Sequence, residues 1–291
     1  MRVTLVVNPS SGKGRAQEML PQVAGRLRDD GLATDILLSR SFQEAAEMTA
    51  EAVRRETDVL AVMGGDGMMH LGVNACAGQQ RTSLALIPAG TGNDLCRGLG
   101  LPPFDPVAAV ALIGAGRLRR FDLSRVNDRW VGAVLATGFD AMVNHRANLM
   151  PWPKGGLRYP LAALAELRVF TPLSYRLTLD GQIRDLEAML VAVGNTTSYG
   201  GGMKICPDAD PTDGLLDVTI IHPVSRAKLL RLLPQMYSGR FARDPCVERT
   251  RAAEVSVDGP GLVGYGDGEL ITAAPLHLHC EAGAVGIFAP L

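Results

Sequence analysis

Apolar runs and helical spacings alternate along the first third of the chain. Val3–Val7 is a continuous apolar run of the kind that forms a buried parallel strand. Apolar side chains then recur at helical spacing over Ala16–Asp29. The alternation continues, with strands predicted at 34–38, 59–63 and 83–87 and helices at 42–55 and 68–77. This order predicts a parallel sheet covered by helices.

From Phe121 onward, short β-type runs dominate. They are separated by turn signals and lie at 130–135, 175–179, 187–193, 216–221, 254–257 and 276–279. Two longer helical patterns interrupt them, at Leu157–Phe170 and Ser225–Tyr237. We therefore expect an α/β domain over residues 1–118 and a β-sandwich-like domain over residues 119–291, with the extreme C-terminus free to return to the first domain.

Composition narrows the class of protein. The 291 residues are 47 % apolar and 20 % charged, which is typical of a globular chain of about two domains. Lys and Arg number 29 against 30 Asp and Glu, so the strongly basic surface of a general nucleic-acid binder is excluded. Five scattered cysteines form no Cys-x-x-Cys pair, and the sequence shows neither a signal peptide nor a run long enough to cross a bilayer. These features indicate a cytoplasmic protein with reduced thiols.

Three of the predicted strands end in small, polar, glycine-containing loops. Strand one ends in Asn8–Gly14, strand three in Gly64–Gly67 and strand four in Gly90–Asp94. The carboxyl ends of parallel strands share one edge, where converging backbone N–H groups and helix N-termini favour phosphate. One such loop is equally a tight strand-to-helix turn, but three together predict a polyphosphate site. Neither G-x-x-x-x-G-K-[ST] nor G-x-G-x-x-G is present.

The ordered loops N-P-S-S-G-K-G, G-G-D-G and P-A-G-T-G-N-D resemble those of the diacylglycerol kinase catalytic-domain family. That family includes bacterial lipid kinases and is related to sphingosine and ceramide kinases. The resemblance continues with T-G-F-D-A at 137–141, Y-G-G-G-M at 199–203, D-G-L-L-D at 213–217 and G-D-G-E at 266–269. It therefore covers nearly the whole chain, whereas G-G-D-G alone is shared with NAD kinases and phosphofructokinases.

The resemblance implies an ATP- and Mg²⁺-dependent lipid kinase, with diacylglycerol as the favoured acceptor. It implies an α/β domain of the NAD kinase and diacylglycerol kinase type beside a β-sandwich, with the nucleotide in the cleft between them. Ser39 takes the place of a nucleotide-contacting threonine of the family, and Asn93 and Asp94 would hold the cleft or the substrate. The residues implied to contact the nucleotide are Asn8, Pro9, Ser10, Ser11, Gly12, Ser39, Gly64, Gly65, Asp66, Gly67 and Thr91.

The resemblance gives roles to three carboxylates, each with an ordinary alternative. Asp267 matches the family's general base toward the lipid hydroxyl, although Asp-Gly is also a common turn. Asp66 would face Mg²⁺ or the phosphates, and a helix cap is the competing role. Asp213 matches a family position that holds a structural magnesium, with backbone oxygens near Asp210 and Leu215, but Asp213-Gly214 is equally a turn signal.

One departure from the family pattern leaves other functions open. Relatives often follow G-G-D-G with T-L-N-E-V-V-N-G, where this chain has M-M-H-L-G-V-N-A, so Leu71 replaces the usual glutamate. A nucleotide- or lipid-binding regulator without turnover is therefore one alternative. A soluble-substrate kinase of the NAD kinase type is another. Phosphatidylglycerol, a sphingoid base and a glycolipid precursor also remain open as acceptors.

A lipid acceptor would bring the protein to a membrane surface. Two segments combine apolar and basic residues. The first is Leu149–Lys154 with the predicted helix that follows it through Phe170, and the second is the predicted helix around Lys228–Leu233. Either could rest on the anionic inner face of the membrane, although an apolar face turned to the core is the ordinary interpretation. We expect peripheral association there, a lipid substrate and no nucleic-acid partner. A homodimer is one of the states that the sequence leaves open.

Overall fold

The structure is a computed structural model that describes residues 1–150, 161–162, 165–166 and 170–290. Lys154, Arg158 and Arg168 of the first expected membrane-facing segment lie outside these residues. Among the described residues, no helix combines the length and the apolarity needed to cross a bilayer.

The N-terminal part is a parallel sheet covered by helices, as the apolar pattern predicts. Its strands are β1 (Arg2–Val7), β2 (Ala33–Leu38), β3 (Val59–Gly64) and β4 (Ser83–Pro88), in the order β2-β1-β3-β4. Its helices are α1 (Arg15–Asp29), α2 (Phe42–Arg54), α3 (Asp66–Cys76), α4 (Asp94–Gly98) and α5 (Pro106–Gly114). Strand β3 is buried along its whole length, whereas β2 is the partly exposed edge. The α/β fold class is therefore confirmed.

Two apolar layers flank this sheet because its strands alternate their side chains between the faces. Val23 and Leu27 of α1 pack with Val110 of α5 on one face. On the other face, Ala45 of α2 packs with Val73 of α3. Leu71 belongs to this second layer and is nine-tenths buried or more. The residue that replaces the family's glutamate is thus part of the core.

The last long strand joins the parallel sheet to an antiparallel one. The strand β16 (Leu276–Phe288) pairs in parallel with β4 through Ile287 and Leu84, and antiparallel with β5 (Leu118–Val126). The sheet continues through β13 (Glu254–Asp258), β8 (Leu173–Leu179) and β9 (Gln182–Ala188), and β6 (Arg129–Val131) pairs with β5. The expected division between residues 118 and 119 falls at the start of β5 and stays a prediction.

A second, antiparallel sheet packs on this extension and completes the sandwich. Its strands are β7 (Val134–Gly138), β10 (Leu190–Gly194), β11 (Leu216–Ile221), β12 (Val247–Ala252), β14 (Val263–Gly266) and β15 (Glu269–Ala273). Their order is β12-β11-β10-β7-β14-β15, and Leu177, Val191 and Leu276 meet in the core between the two layers. The outer face is covered by Phe139 of α6 (Phe139–Leu149), Leu229 of α7 (Arg226–Met236) and Phe241 of a 3-10 turn at Arg240–Arg243.

Candidate functional site

The three glycine loops meet at one edge of the parallel sheet, beyond the carboxyl ends of β1, β3 and β4. A Cβ atom at Gly12 would lie 2.1 Å from the carbonyl oxygen of Ala89, and one at Gly90 would lie 2.4 Å from Gly65 Cα. A Cβ atom at Gly64 would also lie 3.1 Å from Ser11 Oγ. Backbones approach this closely only where side chains are absent. The structure therefore brings the three predicted loops together.

The first loop turns its backbone in the left-handed region. Gly12 and Lys13 have φ angles of 61° and 62°, next to Gly14 at 94°. The side-chain oxygen of Asn8 accepts hydrogen bonds from the N–H of Ser10 at 3.1 Å and from its hydroxyl at 2.8 Å. Asn8 thus shapes the loop from Pro9 onward. Successive N–H groups in such a turn form a concave site suited to an anion.

Ser39 and Thr91 flank the loops on different sides. Ser39 is buried at the end of β2, and its hydroxyl donates to the carbonyl oxygen of Val7 at 3.0 Å. Thr91 has an exposed side chain in the third loop. Both residues lie at the loop edge of the sheet, and their contacts with a nucleotide stay predictions.

Asp66 binds the third loop through both of its carboxylate oxygens. Oδ2 accepts the backbone N–H of Asn93 at 3.0 Å, and Oδ1 accepts that of Asp94 at 2.6 Å. Burial, followed by the neighbouring charge of Asp94, raises the pKa of Asp66 to about 6. Asp66 therefore joins the second loop to the third through hydrogen bonds. Its expected approach to Mg²⁺ or phosphate stays a prediction.

Asn93 closes the third loop on itself. Its φ is 56°, and its side chain is fully buried. Oδ1 accepts the N–H of Gly90 at 3.1 Å, while Nδ2 donates to the carbonyl oxygens of Gly90 at 3.0 Å and Pro103 at 2.7 Å. The side chain of Asn93 thus binds only backbone groups of the chain itself. This geometry agrees better with Asn93 holding the shape of the cleft than with Asn93 binding the substrate.

Asp94 connects the two halves of the molecule. Its carboxylate accepts the backbone N–H groups of Gly201 at 2.6 Å and Gly202 at 2.7 Å. These glycines belong to the Y-G-G-G-M segment, whose three glycines all have positive φ. Burial raises the pKa of Asp94, and the carboxylate of Asp267 contributes in the same direction. Asp66, Asp94 and Asp267 therefore form one electrostatic group.

Asp267 faces this group from the turn between β14 and β15. Its Oδ1 accepts the N–H of Ala133 at 2.8 Å, and its Oδ2 accepts the N–H of Gly132 at 2.9 Å. The side chain is 5 % exposed, and Nδ1 of His70 lies 3.2 Å from Oδ2. The structure thus places the predicted general base beside the loops. His70 is a partner that the sequence did not indicate.

A second buried pair was also missed, although both of its members lie in motifs that the sequence brings out. The hydroxyl of Tyr199 donates to Oδ2 of Asp140. Burial raises the pKa of Asp140 to about 6 and holds that of Tyr199 well above its usual value. This pair anchors α6 to the same glycine segment that Asp94 binds. Spacing along the chain gave no signal for it, because 59 residues separate its partners.

The side chains at the expected metal position bind their own segment and Arg251. Oδ1 of Asp213 accepts the N–H of Leu215 at 3.0 Å, and its Oδ2 lies 3.1 Å from Nη1 of Arg251. Oδ1 of Asp210 accepts both the N–H and the hydroxyl of Thr212. Within the described ranges, no group of three or more His, Cys, Asp or Glu side chains is arranged to hold a metal ion.

One observation near Asp213 nevertheless suits a divalent cation. Oδ2 of the neighbouring Asp217 is buried and has no hydrogen-bond partner in the described part of the chain. Burial raises the pKa of Asp217 to about 6, and the charge of Asp213 acts in the same direction. Carboxylate oxygens are the donors that Mg²⁺ prefers. Asp213 and Asp217 therefore fit such an ion chemically, with Arg251 as its competitor.

Comparisons with known proteins agree with this architecture. The family model described as Diacylglycerol kinase catalytic domain matches residues 2–126, and that described as YegS C-terminal NAD kinase beta sandwich-like domain matches residues 133–289. A Mycobacterium tuberculosis (strain H37Rv) protein named Diacylglycerol kinase is 40 % identical over 99 % of this chain and 95 % of its own length. A Bacillus subtilis (strain 168) protein of the same name is 29 % identical over 88 % and 86 %.

A solved structure supports the fold independently of these sequence matches. The crystal structure of a diacylglycerol kinase from Bacillus anthracis str. Sterne matches with a TM-score of 0.78 and 21 % identity. The match covers 99 % of this chain and 97 % of that one. At this level of identity, the likeness concerns the fold alone.

Proposed function

Since the chain belongs to the family of diacylglycerol and YegS-type lipid kinases, we propose that it transfers the γ-phosphoryl group of ATP·Mg²⁺ to a hydroxyl of diacylglycerol, giving phosphatidic acid. Family membership makes it a lipid kinase and implies the use of ATP. The choice of acceptor and the dependence on Mg²⁺ are the finer parts of the proposal.

One observation carries the proposal: the meeting of the three glycine loops with Asp267. The loops offer backbone N–H groups to a polyphosphate, and the carboxylate of Asp267 lies close enough to add to the effect of burial in raising the pKa of Asp66 and of Asp94 in those loops. Glu269, the first residue of β15, is also close to the second loop, since a Cβ atom at Gly67 would lie 3.3 Å from its Oε1. Phosphoryl transfer depends mainly on such positioning and on electrostatic stabilisation.

In the proposed reaction, the nucleotide phosphates lie along Asn8–Gly14, Gly64–Gly67 and Thr91. Magnesium enters with ATP as part of the substrate and spreads the charge of the phosphates. The lipid hydroxyl attacks the γ-phosphorus while Asp267 accepts its proton. Asp66 and Asp94 keep the loops and the second domain in place through their N–H contacts.

The second proposed role of magnesium is structural. Asp213 would hold the ion, with Asp217 beside it and the chain at Asp210 and Leu215 around it. Bound there, Mg²⁺ would supply positive charge for two neighbouring carboxylates and stabilise the segment before β11. The ion takes no part in the transfer.

Membrane contact is proposed through the outer face of α7. Leu229, Leu232 and Met236 pack against the core, which is the ordinary role of such a helix. Leu230 is 45 % exposed and Tyr237 just after the helix is 56 % exposed, and exposed arginines at 226 and 231 accompany them. An apolar and basic face of this kind suits the interface of an anionic leaflet. Cosedimentation that is independent of anionic lipid would contradict this contact.

The function is tested with purified protein, radiolabelled ATP and acceptors presented in mixed micelles. We expect label in phosphatidic acid when diacylglycerol is supplied with Mg²⁺, and none in NADP when NAD is supplied. The variant Asp267→Asn should stay folded but be less stable than the parent, because its amide NH₂ would face one of the two backbone N–H groups that the carboxylate accepts, and it should lose most of this turnover. Transfer to NAD alone, or nucleotide binding without transfer to any lipid of a total extract, would overturn the proposal.

A further inference from the structure

His70 sits on α3, one helical turn beyond the G-G-D-G loop, and its side chain is 8 % exposed. Its Nδ1 lies 3.2 Å from Oδ2 of Asp267, across 197 residues of sequence. Both side chains are buried, and a hydrogen bond between such groups is strengthened by the low local dielectric. The pair therefore joins the nucleotide side of the cleft to the candidate base.

Asn74 lies against the ring of His70 and offers it no proton acceptor. Nδ2 of Asn74 donates to the carbonyl oxygens of His70 at 3.0 Å and Trp130 at 2.9 Å, and its Oδ1 accepts the N–H of Trp130 at 3.0 Å. These three bonds fix the orientation of the amide. Its nitrogen is a donor that lies 3.3 Å from Nε2 and 3.5 Å from Nδ1 of His70, so it accepts a proton from neither. The ring nitrogen beside an acceptor is Nδ1, which lies 3.2 Å from Oδ2 of Asp267, and the ring proton accordingly resides there.

The contacts of Asp267 make its two oxygens unequal. Oδ2 accepts two hydrogen bonds, from the N–H of Gly132 at 2.9 Å and from His70. Oδ1 accepts one, from the N–H of Ala133 at 2.8 Å. Each carboxylate oxygen has two lone pairs. The bonds made by the described residues thus fill Oδ2 and leave one lone pair of Oδ1 open.

We propose that His70 is a positioning residue that saturates Oδ2 of Asp267, so that Oδ1 receives the proton of the acceptor hydroxyl. This role rests on the proposed function. In the transfer step, the O–H bond of the acceptor breaks as its oxygen bonds to the γ-phosphorus, and the bond from that phosphorus to the bridging oxygen of ADP breaks. The proton passes to Oδ1 and leaves to solvent after the products. His70 keeps its own proton throughout.

Two substitutions separate this role from simple packing. His70→Asn places an amide N–H close to the position of Nδ1 but leaves part of the ring volume empty. His70→Leu fills the space and offers no donor. We expect the Asn variant to keep kcat within about threefold of the parent, and the Leu variant to lose about tenfold or more with the KM for ATP unchanged. Equal losses in the two variants, or better activity in the Leu variant, would overturn the proposal.

A measurement without turnover keeps the proposal testable even if a variant folds poorly. Long-range ¹H–¹⁵N correlation spectra of the parent protein report which ring nitrogens carry a proton, and we expect one on Nδ1 of His70. A ring without a proton on Nδ1 would refute the proposed contact. If the spectra show Nδ1–H but the parent phosphorylates no lipid, the proposed function fails and the pair stands. If the parent and Asp267→Asn behave as proposed but His70→Leu is fully active, the positioning role alone fails.

Discussion

The backbone N–H of Asp94 donates to Oδ1 of Asp66 at 2.6 Å, so the acid of the G-G-D-G loop holds the loop that follows β4. Asp94 in turn binds the N–H groups of Gly201 and Gly202. Two carboxylates in series therefore connect the parallel sheet to the sandwich. The cleft of the proposed kinase depends on this connection, because its two walls come from different parts of the chain.

Substituting Asp94 tests the connection. Asp94→Asn removes a carboxylate that accepts two N–H groups and turns an amide NH₂ toward one of them. We expect kcat to fall by about tenfold or more and the free energy of unfolding to fall by roughly 1–3 kcal/mol. Steady-state kinetics and urea unfolding measure the two effects.

Asp180→Asn is the matched control for Asp94→Asn. Oδ1 of Asp180 accepts the N–H groups of Ala253 at 3.0 Å and Glu254 at 2.9 Å, far along the chain from the loops. This variant should lose stability and keep its activity. An Asp94→Asn enzyme that turns over like the parent would show that the contact between the halves is not needed for transfer.

The close packing of the loops predicts that a side chain added at Gly90 weakens ATP binding. Gly90 has an ordinary φ, but a Cβ atom there would lie 2.4 Å from Gly65 Cα, so Gly90→Ala forces two loops apart without straining its own backbone. We expect the KM for ATP to rise by about tenfold or more. Gly25→Ala on α1 is the control, since nothing lies within 4 Å of its Cβ position. It should raise the melting temperature slightly and leave the kinetics alone. An unchanged KM in Gly90→Ala would place the nucleotide elsewhere.

The strands of the parallel sheet and the loops after them could be predicted from the sequence, because apolar runs, helical spacing and glycines are local signals. The runs 130–135 and 187–193 were each predicted as one strand, and the structure divides both. Gly132 and Ala133 separate β6 from β7, and Met189 separates β9 from β10. In both cases the chain leaves one sheet and enters the other. Continuous β propensity does not reveal where a strand changes layers.

The contacts of the site were harder to predict than its members. Asp66, Asp94 and Asp267 belong to recognisable motifs, but their partners are backbone N–H groups that the fold brings from elsewhere. His70 carries no local sign of its partner, since Asp267 lies 197 residues away. The positions 132 and 133, where the chain changes sheets, are also those whose N–H groups bind Asp267. Such coincidences arise from tertiary packing and have no pattern along the chain.

Buried Asp140 gives the folded protein a pH-dependent stability. Its pKa is about 6 in the folded state, against about 3.9 for an unperturbed aspartate. The folded state therefore binds a proton on Asp140 more tightly than the unfolded state does. This proton binding stabilises the folded state fully below about pH 4, and the stabilisation is lost as the pH rises through 6. Asp140→Asn does not titrate, so the variant does not lose stability in this way. Between pH 5 and 7.5, the stability of the variant relative to the parent should rise by about 1 to 1.5 kcal/mol.

Urea unfolding of both proteins at the two pH values measures this change. Asp185→Asn is the control, because Arg176 lowers the pKa of the exposed Asp185, which is then ionised across the whole range. Its stability relative to the parent should stay constant. If the free energies of unfolding of Asp140→Asn and of the parent change equally between the two pH values, Asp140 is not the buried acid that the structure describes.

Substitutions of Asp213 and Arg251 should change the effect of Mg²⁺ on stability in opposite directions. Oδ2 of Asp217 lies 3.8 Å from Nε of Arg251 and has no hydrogen-bond partner among the described residues. If Mg²⁺ binds there and at Asp213, millimolar Mg²⁺ should raise the melting temperature, since a ligand at 100 times its Kd adds about 2.7 kcal/mol. Asp213→Asn should abolish the rise, and Arg251→Gln should enlarge it because the competing guanidinium is gone. Ca²⁺ and Na⁺ serve as ion controls. If Mg²⁺ has no effect on the parent or on Arg251→Gln, the structural ion is excluded, and Arg251 alone neutralises these carboxylates.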